Sequence, residues 1–273
     1  MSGEVAAIKD VSVAIEKGEL VGVIGHTGSG KSTLIEHFNG ILKGTSGVVL
    51  LDGKDIWEDK SKIRNVRFRV GVCFQYPEYQ LFEETVYKDI AFGPKNMRLP
   101  ENEIKERVRR VLKYVGLNES YEQKSPFDLS GGEKRRVAIA GVMAMNPEIL
   151  VLDEPSAGLD PRGRNTVLSM IKNYQKETGC TVIVVSHSME DIAKIATKIL
   201  VMNEAKLAFY DSVENVFSHA EELTKMGLDI PQITRLFLKL KANGFDVSGD
   251  VYTVEQAHEE LLKLLKRRGQ NAQ

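Results

Sequence analysis

The stretch "LVGVIGHTGSGKSTLIEHFNG", Leu20 to Gly40, decides the fold of this chain. Its first residues, Leu20–Ile24, form a nearly continuous apolar run, which is typical of a β-strand buried on both faces. The segment "GHTGSGKS", Gly25–Ser32, fits the pattern G-x-x-x-x-G-K-[ST] in full, and a helical segment follows it. A strand, a glycine-rich loop and a helix in this order form a phosphate-binding loop, because backbone N–H groups and the helix N-terminus attract phosphate oxygens. The sequence therefore predicts a nucleotide-binding α/β domain.

Two polar residues of this loop have chemical roles that are expected from their residue types. Lys31 is expected to reach the β- and γ-phosphates of ATP, and the Ser32 hydroxyl is expected to bind Mg²⁺. A glycine turn that matches by chance is the alternative, and the flanking strand and helix argue against it. The residues expected to surround the phosphates are Gly25, His26, Thr27, Gly28, Ser29, Gly30, Lys31, Ser32 and Thr33.

A second motif, "EILVLDE" at Glu148–Glu154, supplies two carboxylates. An apolar run that ends in Asp153 places a carboxylate at the carboxyl end of a buried strand, where doubly wound sheets bind their ligands. Asp153 is expected to complete the Mg²⁺ shell through water. Glu154 is positioned to accept a proton from a water that attacks the γ-phosphate. Together, the two motifs predict a Mg²⁺-dependent ATP hydrolase.

Further apolar runs, at Cys180–His187 and Lys198–Glu204, predict a mostly parallel sheet with helices packed on both sides. Between the two phosphate-site motifs lies an insertion at about 76–147, with a strong helical stripe in "ENEIKERVRRVLKYVGL". Gly116 is expected to end this helix, whose apolar face consists of Ile104, Val108, Val111, Leu112 and Val115. The sequence thus predicts an ATP-binding domain over 1–215 that carries an inserted helical subdomain.

A small helical appendage is predicted over 216–273. Apolar residues at helical spacing form one stripe there, and Thr253 with Gln256 forms a capping box that opens the last helix. The stripe consists of Ile233, Leu236, Phe237 and Leu240.

The composition excludes several classes of protein. A net charge of −1 over 273 residues argues against a protein that binds nucleic acid through bulk charge. Cys73 and Cys180 lie in apolar runs and are expected to be reduced core thiols rather than a disulfide or a metal site. No apolar run reaches the roughly 18 residues that a membrane helix needs. Any membrane contact is therefore expected to go through another protein.

Further motifs accompany the phosphate loop and the Asp153–Glu154 pair, namely Gln75, Leu129–Glu133, a loop ending at Asp160, and His187. With these motifs in this order, the chain resembles the ATP-binding cassette (ABC) ATPases over about residues 6–220. The signature segment of that family is matched by "LSGGE", Leu129–Glu133, in which the family commonly has glutamine where Glu133 stands and tolerates the change. The other matches are Gln75 in "CFQYPE", "SAGLD" ending at Asp160, and His187 in "VVSHS".

Taken alone, Gln75 could cap a strand and His187 could be an ordinary strand-end histidine, and the motif order favours a functional interpretation of both. The resemblance implies that Gln75 senses the γ-phosphate and the metal, and that His187 orients the γ-phosphate and the attacking water. The segment Lys134–Arg136 is interpreted as a solvated or structurally paired helix face.

The resemblance also implies that two cassettes pair head to tail. Each ATP is then held between one phosphate loop and the partner's Ser130, Gly131 and Gly132, so that ATP binding drives closure and hydrolysis releases it. Asp160 is placed among the nucleotide-binding residues on the same ground.

The segments "YPEYQLF", "SPFDLSGGEKRRVAIAGVMAMNPE" and "EPSAGLDPRGR" resemble the ATPases of energy-coupling factor (ECF) transporters for vitamins and metal ions, in particular the second of their two paralogous ATPases. This implies a second ATPase as partner, either a paralogue or another copy, together with a transmembrane coupling subunit and a substrate-binding membrane subunit. It also implies a location at the cytoplasmic face of the membrane, no nucleic-acid partner, and appended helices that hold the ATPase pair together. Tyr79, Leu81 and Phe82 are expected to dock on the membrane subunit, or alternatively to pack in the subdomain core.

Several points stay open at the level of sequence. No aromatic residue precedes Lys31 to stack on adenine, so either the start is truncated or adenine is held otherwise. The competing function is a soluble ABC ATPase of the repair or translation type, which would be expected to carry a coiled-coil insertion, zinc-binding cysteine pairs or two cassettes. A P-loop kinase is disfavoured by the Ser-Gly-Gly segment.

Overall fold

The structure, a computed structural model, describes residues 6–270, the last four of them by their backbone alone. A six-stranded sheet forms its centre, and neighbouring strands run parallel except for the last pair. In spatial order the strands are β4 (Val70–Cys73), β5 (Ile149–Asp153), β6 (Thr181–Val185), β1 (Leu20–Ile24), β7 (Lys198–Asn203) and β8 (Lys206–Ser212). A separate hairpin consists of β2 (Leu50–Leu51) and β3 (Lys54–Asp55).

Helices lie against both faces of the sheet and form most of the remaining structure. The α-helices within residues 6–270 are α1 (Lys31–Phe38), α2 (Ile63–Arg69), α3 (Val86–Asn96), α4 (Glu101–Tyr114), α5 (Gly131–Met143), α6 (Pro161–Thr178), α7 (Met189–Ile195), α8 (Val213–Ser218), α9 (Ala220–Lys225), α10 (Gln232–Ala242) and α11 (Val254–Gln270). No helix in this part of the chain has the length and apolar character that crossing a membrane requires.

The central strand β1 shows why the sheet is buried on both sides. Leu20 and Ile24 belong to one apolar cluster, whereas Val21 and Val23 belong to another that includes residues of α1. Because successive side chains of a strand point to opposite faces, two separate cores need apolar residues at every position. The predicted α/β fold with a mostly parallel sheet is therefore confirmed. The strands β4 and β8 are not predicted from the sequence, since β4 is only 4 residues long and β8 is only partly buried.

The helices α3, α4 and α5 follow β4 in the chain and precede β5, so they form the predicted insertion. The helix α4 buries Ile104, Val108, Val111 and Leu112, which is the stripe expected from its sequence. It ends before Gly116, whose φ of 65° is a left-handed conformation that glycine adopts without strain. The prediction of this helix and of its end is confirmed.

The last two helices have a small apolar cluster of their own, formed by Phe237, Val247, Val251 and Ala257. The capping box at the start of α11 is present, because Gln256 N–H donates to Thr253 Oγ1 at 3.2 Å and Thr253 N–H donates to Gln256 Oε1 at 3.1 Å. The predicted stripe on α10 is wrong at one position. Leu236 is exposed, and Thr234 is buried instead and donates its hydroxyl to the Val251 carbonyl.

Candidate nucleotide site

Four parallel strands end at one edge of the sheet, and each is followed by predicted site residues. Val23 of β1 lies beside Val185 of β6, which is followed by His187. Leu152 of β5 lies beside Cys73 of β4, and these two strands lead to Glu154 and Gln75. Since the carboxyl ends of parallel strands share an edge, the structure brings the phosphate loop, both carboxylates, Gln75 and His187 to the same side of the sheet.

The glycines of the phosphate loop are required by close backbone approaches. A Cβ added to Gly25 would lie 2.4 Å from Ser29 Oγ and 2.5 Å from the Met202 carbonyl oxygen. Gly30 has a φ of 98°, and its Cβ would lie 2.5 Å from the Ala7 carbonyl oxygen. Substitution at either glycine would therefore push the loop away from the strand end on which it rests.

Lys31 is buried at the base of this loop. Its Nζ donates to the carbonyl oxygens of Gly25 at 2.6 Å and of His26 at 3.0 Å, so the loop curls around the ammonium group. Burial lowers the pKa of Lys31, and the nearby charges of Glu154 and Asp153 partly oppose that shift. The buried Ser29 hydroxyl has no hydrogen-bond partner among the described residues. A curled loop with a buried ammonium and an unused hydroxyl fits the phosphates of a nucleotide.

Glu154 is held in an unusual environment for a carboxylate. It has a φ of 50°, and its backbone N–H donates to the Val185 carbonyl at 3.0 Å, which ties it to the end of β6. Burial raises the pKa of Glu154 to about 7, although the backbone N–H of His187 acts in the opposite direction. Its Oε1 lacks a hydrogen-bond partner within the described residues and lies 3.7 Å from His187 Nε2. A buried carboxyl whose pKa lies near neutrality is suited to accept a proton.

The chemistry of the nearby oxygen atoms fits Mg²⁺. Ser32, Gln75 and Asp153 offer a hydroxyl, an amide and a carboxylate oxygen, which are the ligand types that this ion prefers. Burial raises the pKa of Asp153, and the charge of Lys31 lowers it. No group of three or more His, Cys, Asp or Glu side chains in residues 6–270 could hold a metal ion by itself.

The signature segment forms the start of α5. Ser130 caps the helix and donates its hydroxyl to Glu133 Oε2 at 2.6 Å, and Glu133 accepts the Ser130 backbone N–H at 2.9 Å. The Ser130 hydroxyl and the Tyr121 hydroxyl lower the pKa of Glu133 to about 2. A Cβ added to Gly131 or Gly132 would meet nothing within 4 Å. The packing of this chain therefore does not require glycine at these positions, which leaves room for a close approach from outside.

The Ser130 turn belongs to the insertion between β4 and β5, whereas the phosphate loop follows β1. The Ser130 turn lines a depression of 170 Å³ together with Asp160, which caps α6 by accepting the Gly163 N–H at 2.7 Å. No residue of the phosphate loop lines this depression. Its volume is below the roughly 300–1,000 Å³ of a complete ligand site. The structure thus groups Ser130, Gly132 and Asp160 around this depression, with Gly131 between the first two in the chain, and the phosphate loop does not contribute to it.

Arg135 decides between the two interpretations of Lys134–Arg136. Only 2% of it is exposed, so at this residue the helix face is structurally paired and not solvated. Its guanidinium pairs with Glu78 and donates to the carbonyl oxygens of Pro155 and Ala157. Helical spacing carries a signal that points to this burial, because Arg135 lies four positions before the buried Ile139.

A second contact not predicted from the sequence joins Ser156 to Asp191. The Ser156 hydroxyl donates to Asp191 Oδ2 at 2.6 Å, and both residues are buried. This bond ties the loop after Glu154 to α7, which begins just beyond His187. A serine and an aspartate 35 positions apart carry no local pattern that would predict their contact.

The aromatic segment after Gln75 divides into two parts. Tyr79 and Phe82 are 83% and 59% exposed, and Phe82 forms an edge-to-face contact with the exposed Phe92 at 5.1 Å between ring centroids. Leu81 packs instead against the main apolar cluster, as the alternative interpretation of this segment expects. We refer to Tyr79, Phe82 and Phe92 as the aromatic patch.

Three features together define the class of ATP-binding cassette ATPases. They are a phosphate loop after β1, a buried carboxylate at the end of β5, and a separate helix that starts with Ser-Gly-Gly. The chain belongs to the ABC transporter family, whose family model matches residues 8–157, and this family binds and hydrolyses ATP. It is 54% identical to the energy-coupling factor transporter ATP-binding protein EcfA2 of Clostridium tetani, over 98% of this chain and 93% of that protein. It is 53% identical to the protein of the same name from Clostridioides difficile, over 96% and 92% of the two chains. The resemblance to ECF-type ATPases is confirmed.

Two solved structures support the fold and its class. The structure of cbiO1 from Clostridium perfringens, described as part of the ABC transporter complex cbiONQ, has a TM-score of 0.74 and 41% identity, over 84% of this chain and 91% of that one. The ATP-binding cassette MJ0796, solved as a dimer in a post-hydrolysis state with ADP and Pi, has a TM-score of 0.68 and 28% identity, over 78% and 94%.

Proposed function

We propose that this chain is the ATP-hydrolysing subunit of an energy-coupling factor transporter, and that it powers the uptake of vitamins or metal ions through a membrane coupling subunit. The observation that carries the proposal is the division of the site. The phosphate loop and Glu154 meet at one sheet edge, while the Ser130 turn stands apart in an inserted subdomain. Such a division suits an enzyme that completes its site by pairing with a second cassette.

Within one chain, the residues have distinct roles in the proposed reaction. The loop Gly25–Thr33 binds the phosphates, and Lys31 exchanges its carbonyl partners for the β- and γ-phosphates. Glu154 accepts the proton of the attacking water, and His187 beside it orients that water and the γ-phosphate. Gln75 lies at the end of β4, where it contacts the γ-phosphate side of the site.

Mg²⁺, when bound, neutralises the charge that develops on the phosphate oxygens. Ser32, Gln75 and Asp153 would hold it. Support for this set comes from the oxygen chemistry of the three side chains and from their position around the phosphate loop.

The partner in this proposal is a second ABC ATPase, either a paralogue or another copy of this chain. Ser130, Gly131, Gly132 and Asp160 of one chain face the ATP that is bound by the phosphate loop of the other. Support comes from the two open glycines of the Ser130 turn and from the dimeric state of the MJ0796 cassette.

The membrane partners are a transmembrane coupling subunit and a substrate-binding membrane subunit, and the protein lies on the cytoplasmic face of the membrane without spanning it. The aromatic patch is the proposed contact, because exposed aromatic side chains that cluster on a surface are typical of protein interfaces. The cbiO1 structure supports this proposal, since that protein belongs to a transporter complex.

We also propose that residues 1–215 form the ATPase domain, with its helical subdomain at about 76–147, and that the appendage over 216–273 helps to hold the ATPase pair together. The small apolar cluster of α10 and α11 supports a separate unit at the end of the appendage, whereas Leu223 and Ile230 before it pack in the main apolar cluster. Leu261, Leu262 and Leu265 of α11 are exposed and give it an apolar surface for a partner.

An affinity-tagged full-length chain, isolated from detergent-solubilised membranes, tests the proposal. We expect an integral membrane subunit and a second ATPase to co-purify and the isolate to hydrolyse ATP. A variant with Tyr79→Ala and Phe82→Ala should lose the membrane subunit and keep ATP binding, whereas Val254→Ala, an exposed apolar change elsewhere, should lose neither. Recovery of an active ATPase without any membrane protein would favour the soluble ABC ATPase instead.

A further inference from the structure

The guanidinium group of Arg135 bonds to a carboxylate and to two backbone carbonyls at the same time. Its Nε donates to Glu78 Oε2 at 2.8 Å, and Nη2 donates to Glu78 Oε1, so the pair is bidentate. Its Nη1 donates to the Ala157 carbonyl at 2.6 Å and to the Pro155 carbonyl at 3.2 Å. A planar guanidinium can serve a carboxylate and two carbonyls at once, which a lysine ammonium cannot do with the same geometry.

These bonds join three segments that lie far apart in the chain. Arg135 belongs to α5, which begins at the Ser130 turn. Glu78 lies three positions after Gln75, and the ring of Tyr76 lies over the Arg135 guanidinium at 5.7 Å from its centroid. Pro155 directly follows Glu154. One buried side chain thus connects the helix that faces the partner's nucleotide with the two loops of this chain's own site.

The contact with the Pro155 carbonyl bears directly on Glu154. That carbonyl belongs to Pro155, the residue after Glu154, whose ring fixes its own φ. Holding this carbonyl therefore restrains the backbone next to Glu154, which has a φ of 50°. A non-glycine residue keeps such a conformation only where its surroundings hold it. The N–H of Glu154 is bonded to Val185 on one side, and Arg135 holds the chain on the other.

The helix transmits displacement between its ends. It is continuous from Gly131 to Met143, so a movement of the Ser130 turn on engaging a nucleotide moves Arg135 in the second turn as well. Glu78 and Tyr76 follow on one side and the Pro155–Ala157 segment on the other.

We propose that Arg135 is a positioning residue that couples the Ser130 turn to Gln75 and Glu154 of the same chain, so that engagement of the partner's nucleotide aligns the base of its own site. This inference rests on the proposed function, and it adds to it a path between the two nucleotide sites of a pair.

A buried charge pair allows stability to be separated from positioning. Removing one member leaves the other charge buried and unpaired, whereas replacing both by apolar residues of similar size commonly restores stability. We therefore compare Arg135→Met with the double variant Arg135→Met/Glu78→Leu. The double variant regains stability but still lacks the hydrogen bonds to Pro155 and Ala157.

Arg107 offers a matched control. It also pairs with a glutamate, Glu103, and donates to two carbonyls, those of Ala144 and Met145, but it joins α4 to the far end of α5. Arg107→Met removes the same kinds of bond without touching either loop of the site. It should lower the unfolding midpoint and leave turnover per folded complex unchanged.

The test measures steady-state ATP hydrolysis and urea unfolding of the complex isolated with each full-length variant. We expect kcat to fall about 30-fold in both Arg135 variants, with KM for ATP within about twofold of wild type, because misplacing reacting groups lowers turnover more than binding. Return of kcat to the wild-type value in the double variant, together with its stability, would overturn the inference and leave Arg135 a packing residue. A wild-type complex that hydrolyses no ATP would instead overturn the proposed function, and this inference with it.

Discussion

Replacing Glu154 by glutamine is expected to remove ATP turnover and to make the free protein more stable. Burial raises the pKa of Glu154 from its ordinary value of 4.5 to about 7. A difference of one pKa unit corresponds to about 1.4 kcal/mol, so the ionised carboxylate would destabilise the folded state by about 3 kcal/mol at most. Because solvent reaches part of the side chain, we expect the net effect to be about 1–2 kcal/mol. Glutamine has a similar shape and no charge, and it removes this destabilisation.

The pH dependence gives the sign of the effect. Folded Glu154 binds its proton more tightly than the unfolded chain does, so wild-type stability falls as pH rises from about 4.5 to about 7 and is level above that. Below pH 4.5 the carboxyl is protonated in both states, and the variant then has no advantage. Urea unfolding without nucleotide, at pH 8 and at the lowest pH that keeps the protein soluble, measures the difference directly.

Turnover supplies the second measurement. Loss of a general base lowers the rate of hydrolysis by about 10²–10⁴-fold, while ATP binding by the phosphate loop should persist. Glu177→Gln on the exposed face of α6 is the control for a charge change elsewhere and should alter neither property. A Glu154→Gln protein that hydrolyses ATP at the wild-type rate would refute the catalytic assignment. A Glu154→Gln protein that is no more stable than wild type at pH 8 would refute the inference that burial of the ionised Glu154 carboxylate destabilises the folded state.

Three further outcomes are expected. Turnover at saturating ATP should be half-maximal near pH 7 and fall about tenfold per pH unit below pH 6, as Glu154 is protonated; a flat profile of kcat from pH 6 to pH 8 would contradict this. Lys31→Ala should weaken ATP binding about 100-fold, because charged hydrogen bonds to phosphate are lost, and titration with a fluorescent ATP analogue measures it; unchanged affinity would remove Lys31 from the site. Leu261→Lys with Leu265→Lys should weaken pairing of the ATPases about tenfold, or by about 1.4 kcal/mol, in sedimentation experiments without nucleotide, and an unchanged association constant would exclude this surface of α11 from the pair.

The sequence predicts those parts of the site in which a local pattern and a chemical role coincide. The phosphate loop is such a case, since strand, glycines and Lys31 lie within a few residues and each has a structural reason. Asp153 and Glu154 are predictable because they follow a buried strand, and ligands of doubly wound sheets bind at the carboxyl ends of the strands. The parallel sheet follows from apolar runs without alternation, since such runs satisfy two cores at once.

Long-range polar contacts are the parts that could not be predicted. Arg135 and Glu78 lie 57 positions apart, so helical spacing indicates that Arg135 is buried but not which residue pairs with it. Ser156 and Asp191 form a buried hydrogen bond that no pattern in either segment predicts. Their burial depends on how the inserted subdomain and α7 pack on the strand ends, which is a property of the assembled fold. The exposure of Leu236 has the same origin, because helical spacing defines a face but not what covers it.

The separation of the Ser130 turn from Lys31 has a consequence for genetics. In the proposed pair of like chains, each nucleotide site would take its phosphate loop from one chain and its Ser-Gly-Gly turn from the other. Two lesions carried by one chain, at Lys31 and at Ser130, therefore damage different sites. If the same lesions are divided between the two chains, both fall in one site and the other site remains whole. A Lys31 mutant and a Ser130 mutant, each inactive alone, would therefore restore activity to each other when mixed. Activity then depends on which nucleotide site carries the lesions, and not on how many chains carry one.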